Sequence, residues 1–171
     1  MSAIEKLTKE DRANFNTLFR DLITSGDGHH HLWHSGDIHR RGQAALSDPR
    51  STISLFALAQ ISSRLPPELG YARLRAPASK IEGVGINMVS EMLCTFAPKR
   101  YAVFNGNTAE ALRAVGADPP KSVTLFSPMA YARVCDIVEA VRRRIGGEDL
   151  SDADAFLNWI YQKKVKPAVR K

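Results

Sequence analysis

Apolar positions recur along this chain at three- and four-residue intervals, whereas strict alternation is confined to RYAVF at 100–104. The pattern predicts helices. Thr8 with Asp11 three residues on resembles a capping box with Asp in place of Glu. It opens a helix that carries Phe15, Leu18, Phe19, Leu22 and Ile23 and ends near Ser25-Gly26. Glycines at 26, 28, 36 and 42 break any period in the next segment, although IHRRGQAAL forms a short helical stretch. After Asp48-Pro49, STISLFALAQISSRL sets Ile53, Phe56, Ala57, Ala59 and Ile61 on a broad apolar face, and Pro66-Pro67 stops it. The following PPELGYARLRAPAS reads as a polar connector, with a short helical segment at about 78–82.

Ile86, Val89, Met92, Leu93 and Phe96 then mark one face of a helix that starts after Gly85 and ends before Pro98. Tyr101, Val103 and Phe104 are extended, and Asn105-Gly106-Asn107 is a turn. Asn107 caps a short helix that Gly116 ends. Ser127-Pro128 opens the longest helix, with Tyr131, Val134, Ile137, Val138, Val141 and Ile145 on one stripe and Gly146-Gly147 as its stop. Leu150 and Ser151 start a last helix bearing Phe156, Leu157, Ile160 and Tyr161. The expected fold is all-α, a compact single helical domain over 1–162 followed by a basic tail over 163–171.

Composition narrows the setting. With 171 residues, 44% of them hydrophobic and 25% charged, the chain can bury one core. A formal charge of +6 favours a polyanionic partner, with double-stranded DNA first. The N-terminus lacks the apolar core of a signal peptide, and no run is long enough to span a bilayer, so the expected location is the cytoplasm, with no membrane partner. Cys94 and Cys135 fall in helical patterns far from metal or redox spacing and read as small buried thiols.

The chemistry-bearing stretch is Ile81-Glu82-Gly83-Val84-Gly85 ahead of the Ile86/Val89/Leu93 face. Two glycines around one apolar residue let the chain turn and let a phosphate approach a backbone that carries no Cβ. The helix N-terminus behind them supplies amides and the positive end of its dipole. Val84 would pin the two helices together. The expected phosphate-binding set is Gly83, Val84, Gly85, Ile86 and Asn87, with Lys80, Lys99 and Arg100 adding charge. Asn105 and Asn107 are candidates for base-edge or turn contacts.

On these residues the chain resembles the helix-hairpin-helix of base-excision DNA glycosylases and other DNA-binding proteins, with the element over about 76–117. The resemblance implies a duplex-binding phosphate clamp and allows a monovalent cation in the hairpin, with no other cofactor. It also implies a missing acid, because Asn105 stands where those glycosylases carry a catalytic Asp and Asn87 where some carry a nucleophilic Lys. An amide supplies neither a carboxylate nor a Schiff-base amine. No catalytic residue is therefore assigned. Asp118, Glu110 and Asp136 are the acids that could restore activity from another position.

A closer resemblance joins Gly83/Gly85, Pro98-Lys99-Arg100-Tyr101, Asn105 and Phe156-Leu157-Asn158-Trp159 to bacterial helical domains of restriction and phage-defence systems, over about residues 68–162. It implies a DNA-contacting accessory. Two rivals stand beside a non-catalytic DNA binder: an active glycosylase or lyase with a displaced carboxylate, and a protein-interaction subunit whose hairpin is only structural.

Further candidates lie outside the hairpin. His29, His30, His31, His34 and His39, with Asp27 and Asp37, have ligand chemistry but match no structural zinc spacing, and a solvated or DNA-facing loop anchored by Trp33 is expected there. No metal site is assigned. Arg142, Arg143 and Arg144 suit a helix C-terminus, and Lys163, Lys164, Lys166, Arg170 and Lys171 form a basic arm, expected to be mobile, that suits either phosphate contact or solubility.

Overall fold

Local punctuation decides where most of the helices begin. The structure, a computed structural model, describes residues 44–45, 48–120 and 127–169. The helix expected at 8–25, the histidine-bearing segment with Trp33, most of the 38–46 stretch, and Arg170 and Lys171 lie outside the described residues. Asp48 caps α1 (Pro49–Ser62) by accepting from the Ser51 amide. Asn105 caps α4 (Gly106–Ala114), Ser127 caps α5 (Pro128–Ile145) and Asp149 caps α6 (Leu150–Ile160), each through a side-chain oxygen. Gly146 ends α5 in the left-handed conformation, with φ of 72°. Between α1 and α4 stand α2 (Pro67–Ala78) and α3 (Ile86–Phe96). No strand occurs among the described residues, and the all-α expectation holds.

Some local expectations change. The supposed connector at 66–79 is α2. Pro66 and Pro67 end one helix and start the next, because proline's missing N–H costs nothing at a first helical position. Asn105, rather than Asn107, caps α4: its Oδ1 accepts from Thr108 N at 3.0 Å, while Asn107 is an exposed residue of the first turn. Past 160 the chain continues from α6 into a π-helical turn (Tyr161–Val165) and a final turn, α7 (Lys166–Val169).

The core centres on α3, in which every residue from Met88 to Cys94 is buried. It packs against α1 and α2, α5 packs against α2 and α6, and α4 lies against α6 and the π-helical turn. The extended strip Tyr101 to Phe104 is buried along its whole length. Tyr101, Tyr71 of α2 and Tyr131 of α5 form a stack, with ring centroids 4.6 Å apart for Tyr71 and Tyr131 and 6.4 Å for Tyr101 and Tyr131. The α1 face differs from the periodic expectation, because Ala57 and Ile61 are exposed whereas Thr52, Ser62 and Ser63 are buried. Thr52 Oγ1 donates to Ala45 O at 2.6 Å and Ser63 Oγ to Gln60 O, so these two hydroxyls enter the core already partnered, whereas Ser62 Oγ makes no hydrogen bond among the described residues. Cys94 and Cys135 are free and buried, and burial raises their thiols to about 12 and about 11.

Candidate nucleic-acid interface

The seven residues 79–85 join α2 to α3 through successive tight turns. Lys80 N donates to Pro77 O, Ile81 N to Ala78 O and Val84 N to Ile81 O, at 3.1 to 3.2 Å. Gly83 sits at φ of 78°, a left-handed conformation that explains its glycine. Gly85 is different. At φ of −121° and ψ of −172° any residue would be unstrained, and a Cβ there would meet nothing within 4 Å. Buried Ile81 and half-buried Val84 and Ile86 fix the link to the core. Of the expected phosphate donors, the Val84 amide is used internally to close its turn. The amides of Gly83, Gly85 and Ile86 make no hydrogen bond among the described residues.

Unlike α1, α4, α5 and α6, α3 starts without a side-chain cap. Ser90 Oγ, one turn into α3, accepts from Phe104 N at 3.0 Å and so draws the extended strip beside that turn. The start of α4 at Asn105 therefore lies near the start of α3. Asn87 shares this end, its carbonyl accepting from Ser90 Oγ at 2.8 Å. Lys80 is exposed in the link, and so is Glu82 two residues on, which opposes any anion placed there.

Lys99 and Arg100 lie beyond the opposite end of α3, about 16 Å away at 1.5 Å per residue. Arg100 also serves the fold. Its Nη1 donates to the carbonyls of Ser63, Arg64 and Leu65 at 3.2, 2.8 and 3.3 Å, closing the end of α1. The Tyr101 phenol sits on the same turn, 2.6 Å from Leu65 O and 3.0 Å from Ser62 O. Burial raises that phenol to about 12. The Pro-Lys-Arg-Tyr motif is thus a clamp on the α1–α2 junction. Arg100→Met is expected to cost about 1.5 kcal/mol, read from urea denaturation, because three carbonyls lose a charged donor.

The remaining cations divide similarly. Arg142 and Arg143 both pair with Glu139 at 2.7 Å, and their hydrogen bonds hold that carboxyl down at about 2. Arg142 also donates to Gly147 O at 2.7 Å, whereas Arg144 makes no ion pair among the described residues. Lys163 and Lys164 are exposed, and Lys166 Nζ donates to Gln162 Oε1.

All three acids singled out from sequence are exposed. Glu110 pairs with Arg113, Asp118 lies 3.9 Å from Arg133, and Asp136 is exposed on α5. Sequence reasoning passed over two acids that the fold draws wholly or partly out of water. Glu91 is 2% exposed in the middle of α3, and half-buried Asp154 on α6 is raised by desolvation to about 6. Glu91 lies among apolar-spaced positions and reads as polar relief. Asp154 sits in an acidic run of ordinary helix-start composition, so neither gave a signal.

Among the described residues no three His, Cys, Asp or Glu side chains gather as a metal site. No helix among them is long and apolar enough to cross a membrane. No family model, curated protein or solved structure matches the chain.

Proposed function

We propose that the chain is a non-catalytic DNA-binding protein in which the α2–α3 link seats one backbone phosphate of a duplex, in a restriction, defence or repair setting. The observation that carries this is Gly85, a glycine that neither backbone conformation nor packing requires, at the uncapped start of α3. A phosphate there would accept from the Gly83, Gly85 and Ile86 amides and meet the positive end of α3. Lys80 and the net charge of +6 would add sequence-independent affinity. Asn105, with its Oδ1 on the α4 cap, leaves the glycosylase acid's position without a carboxylate.

The test is fluorescence anisotropy of labelled duplex DNA over a salt series. Gly83→Ala would be a poor probe, since its left-handed backbone would cost about 1 kcal/mol on its own. Gly85→Asp is better. The new carboxylate caps α3 and raises stability by a few tenths of a kcal/mol, while its charge occupies the phosphate's place and weakens DNA binding about tenfold or more. Glu82→Gln removes the opposing charge and should tighten binding about twofold at low salt. Duplex binding indifferent to both changes would remove the hairpin from the interface. Absence of any salt-sensitive duplex binding would leave the protein-interaction role in its place.

A further inference from the structure

The far end of α3 carries a feature that the hairpin does not use. The C-terminal ends of α1 and α3 border an open cleft of about 530 Å³, lined chiefly by Gln60, Ser63, Arg64, Phe96, Lys99 and Arg100. That volume is in the range of small-ligand sites. Three lining residues are cationic and none is acidic, and neither Arg64 nor Lys99 has a carboxylate partner among the described residues. A helix C-terminus ordinarily repels anions. Here the last carbonyls of α1 are turned onto Arg100 Nη1 and the Tyr101 phenol. Those bonds also hold the Arg100 guanidinium in place, while its Nε and Nη2 protons make no hydrogen bond among the described residues. The half-buried Phe96 ring supplies an apolar wall beside these charges, and Gln60 a side-chain amide.

We propose that this cleft binds a nucleotide, with the phosphate held by Arg64, Lys99 and the open edge of Arg100 and the base laid against Phe96. Anchoring one guanidinium in advance lowers the ordering cost of the site, and a planar ring on an aromatic wall tolerates any base. The Gln60 amide can meet a base edge. The same chemistry is offered by a free nucleotide and by a nucleotide unit of an exposed single strand.

Isothermal titration of the full chain with AMP, ribose 5-phosphate and inorganic phosphate tests the assignment, with a short oligothymidylate as competitor. Saturable AMP binding is expected, about tenfold tighter than ribose 5-phosphate if the ring stacks. An Arg64→Gln/Lys99→Gln variant, altered only at exposed side chains, should keep its melting temperature and lose at least about tenfold in AMP affinity. Displacement of AMP by the oligonucleotide identifies a strand as the source, and AMP binding that the oligonucleotide leaves untouched identifies a free nucleotide. Gly85→Asp should bind AMP as the wild type does, so this site and the hairpin succeed or fail separately. The proposal is overturned if neither AMP nor the oligonucleotide binds saturably, if the double variant binds as well as wild type, or if inorganic phosphate binds as tightly as AMP.

Discussion

Gly70→Ala is expected to destabilise the chain by about 3 kcal/mol, as overpacking against fixed neighbours does. An added Cβ would stand 2.1 Å from Tyr101 Oη, 2.9 Å from its Cζ and 2.8 Å from Ser62 O. None of these can retreat cheaply. The phenol is held against Leu65 O at 2.6 Å, its ring stacks on Tyr131, and Tyr131 is fixed in turn by its bond to Ala102 O at 2.8 Å and by stacking on Tyr71. Ser62 O belongs to the last turn of α1. Urea denaturation of Gly70→Ala, Tyr101→Phe and the double variant separates the causes. Tyr101→Phe alone should cost about 1.5 kcal/mol for the lost hydrogen bond. Because it also removes the atom nearest the new Cβ, the double variant should be less destabilised than the sum by about 1 kcal/mol. Strict additivity would show that the Tyr101 hydroxyl is not what excludes a side chain at 70.

The same junction shows how far the sequence could be read. Helices with local start and stop chemistry were legible: Gly85 to Phe96, Ser127 to Gly146 and the start at Leu150 need only neighbours within four residues. α2 was not, because Pro66-Pro67, Gly70 and Pro77 each look like breakers in isolation. Gly70 belongs in that helix because the Tyr101 ring, 31 positions on, occupies the place of a side chain. The role of Arg100 was hidden for the same reason, its carbonyl partners lying 35 to 37 residues earlier. The Gly83 turn could be foreseen from glycine alone. That Gly85 has no conformational need of glycine could not, since only the backbone angles separate the two.

Asp154 gives the second large effect, and its sign follows from burial. Its carboxyl is raised from 3.8 to about 6 by desolvation alone, on the part of α6 near the buried Cys94, with Asp149 as the other acid acting on that thiol. Above pH 6 the folded chain carries an ionised, poorly solvated carboxylate, and the full cost is present. As pH falls from about 6 to about 4 the folded state takes up the proton before the unfolded one, so this cost fades. Below about 4 both states are protonated and it is gone. At 1.36 kcal/mol per unit the shift bounds the cost at about 3 kcal/mol. Asp154→Asn, which keeps the shape and never ionises, should stabilise the chain by about 2 kcal/mol at pH 8, the remainder being offset by burial of the amide. The gain should shrink through pH 6 and vanish near pH 4. Glu139, held down at about 2 by Arg142 and Arg143, changes stability in the opposite sense only at lower pH and is common to both proteins, so it cancels in the comparison. A difference between variant and wild type that stays constant from pH 4 to 8 would mean that Asp154 ionises as an ordinary surface acid, and that the buried face of α6 around it is open to water.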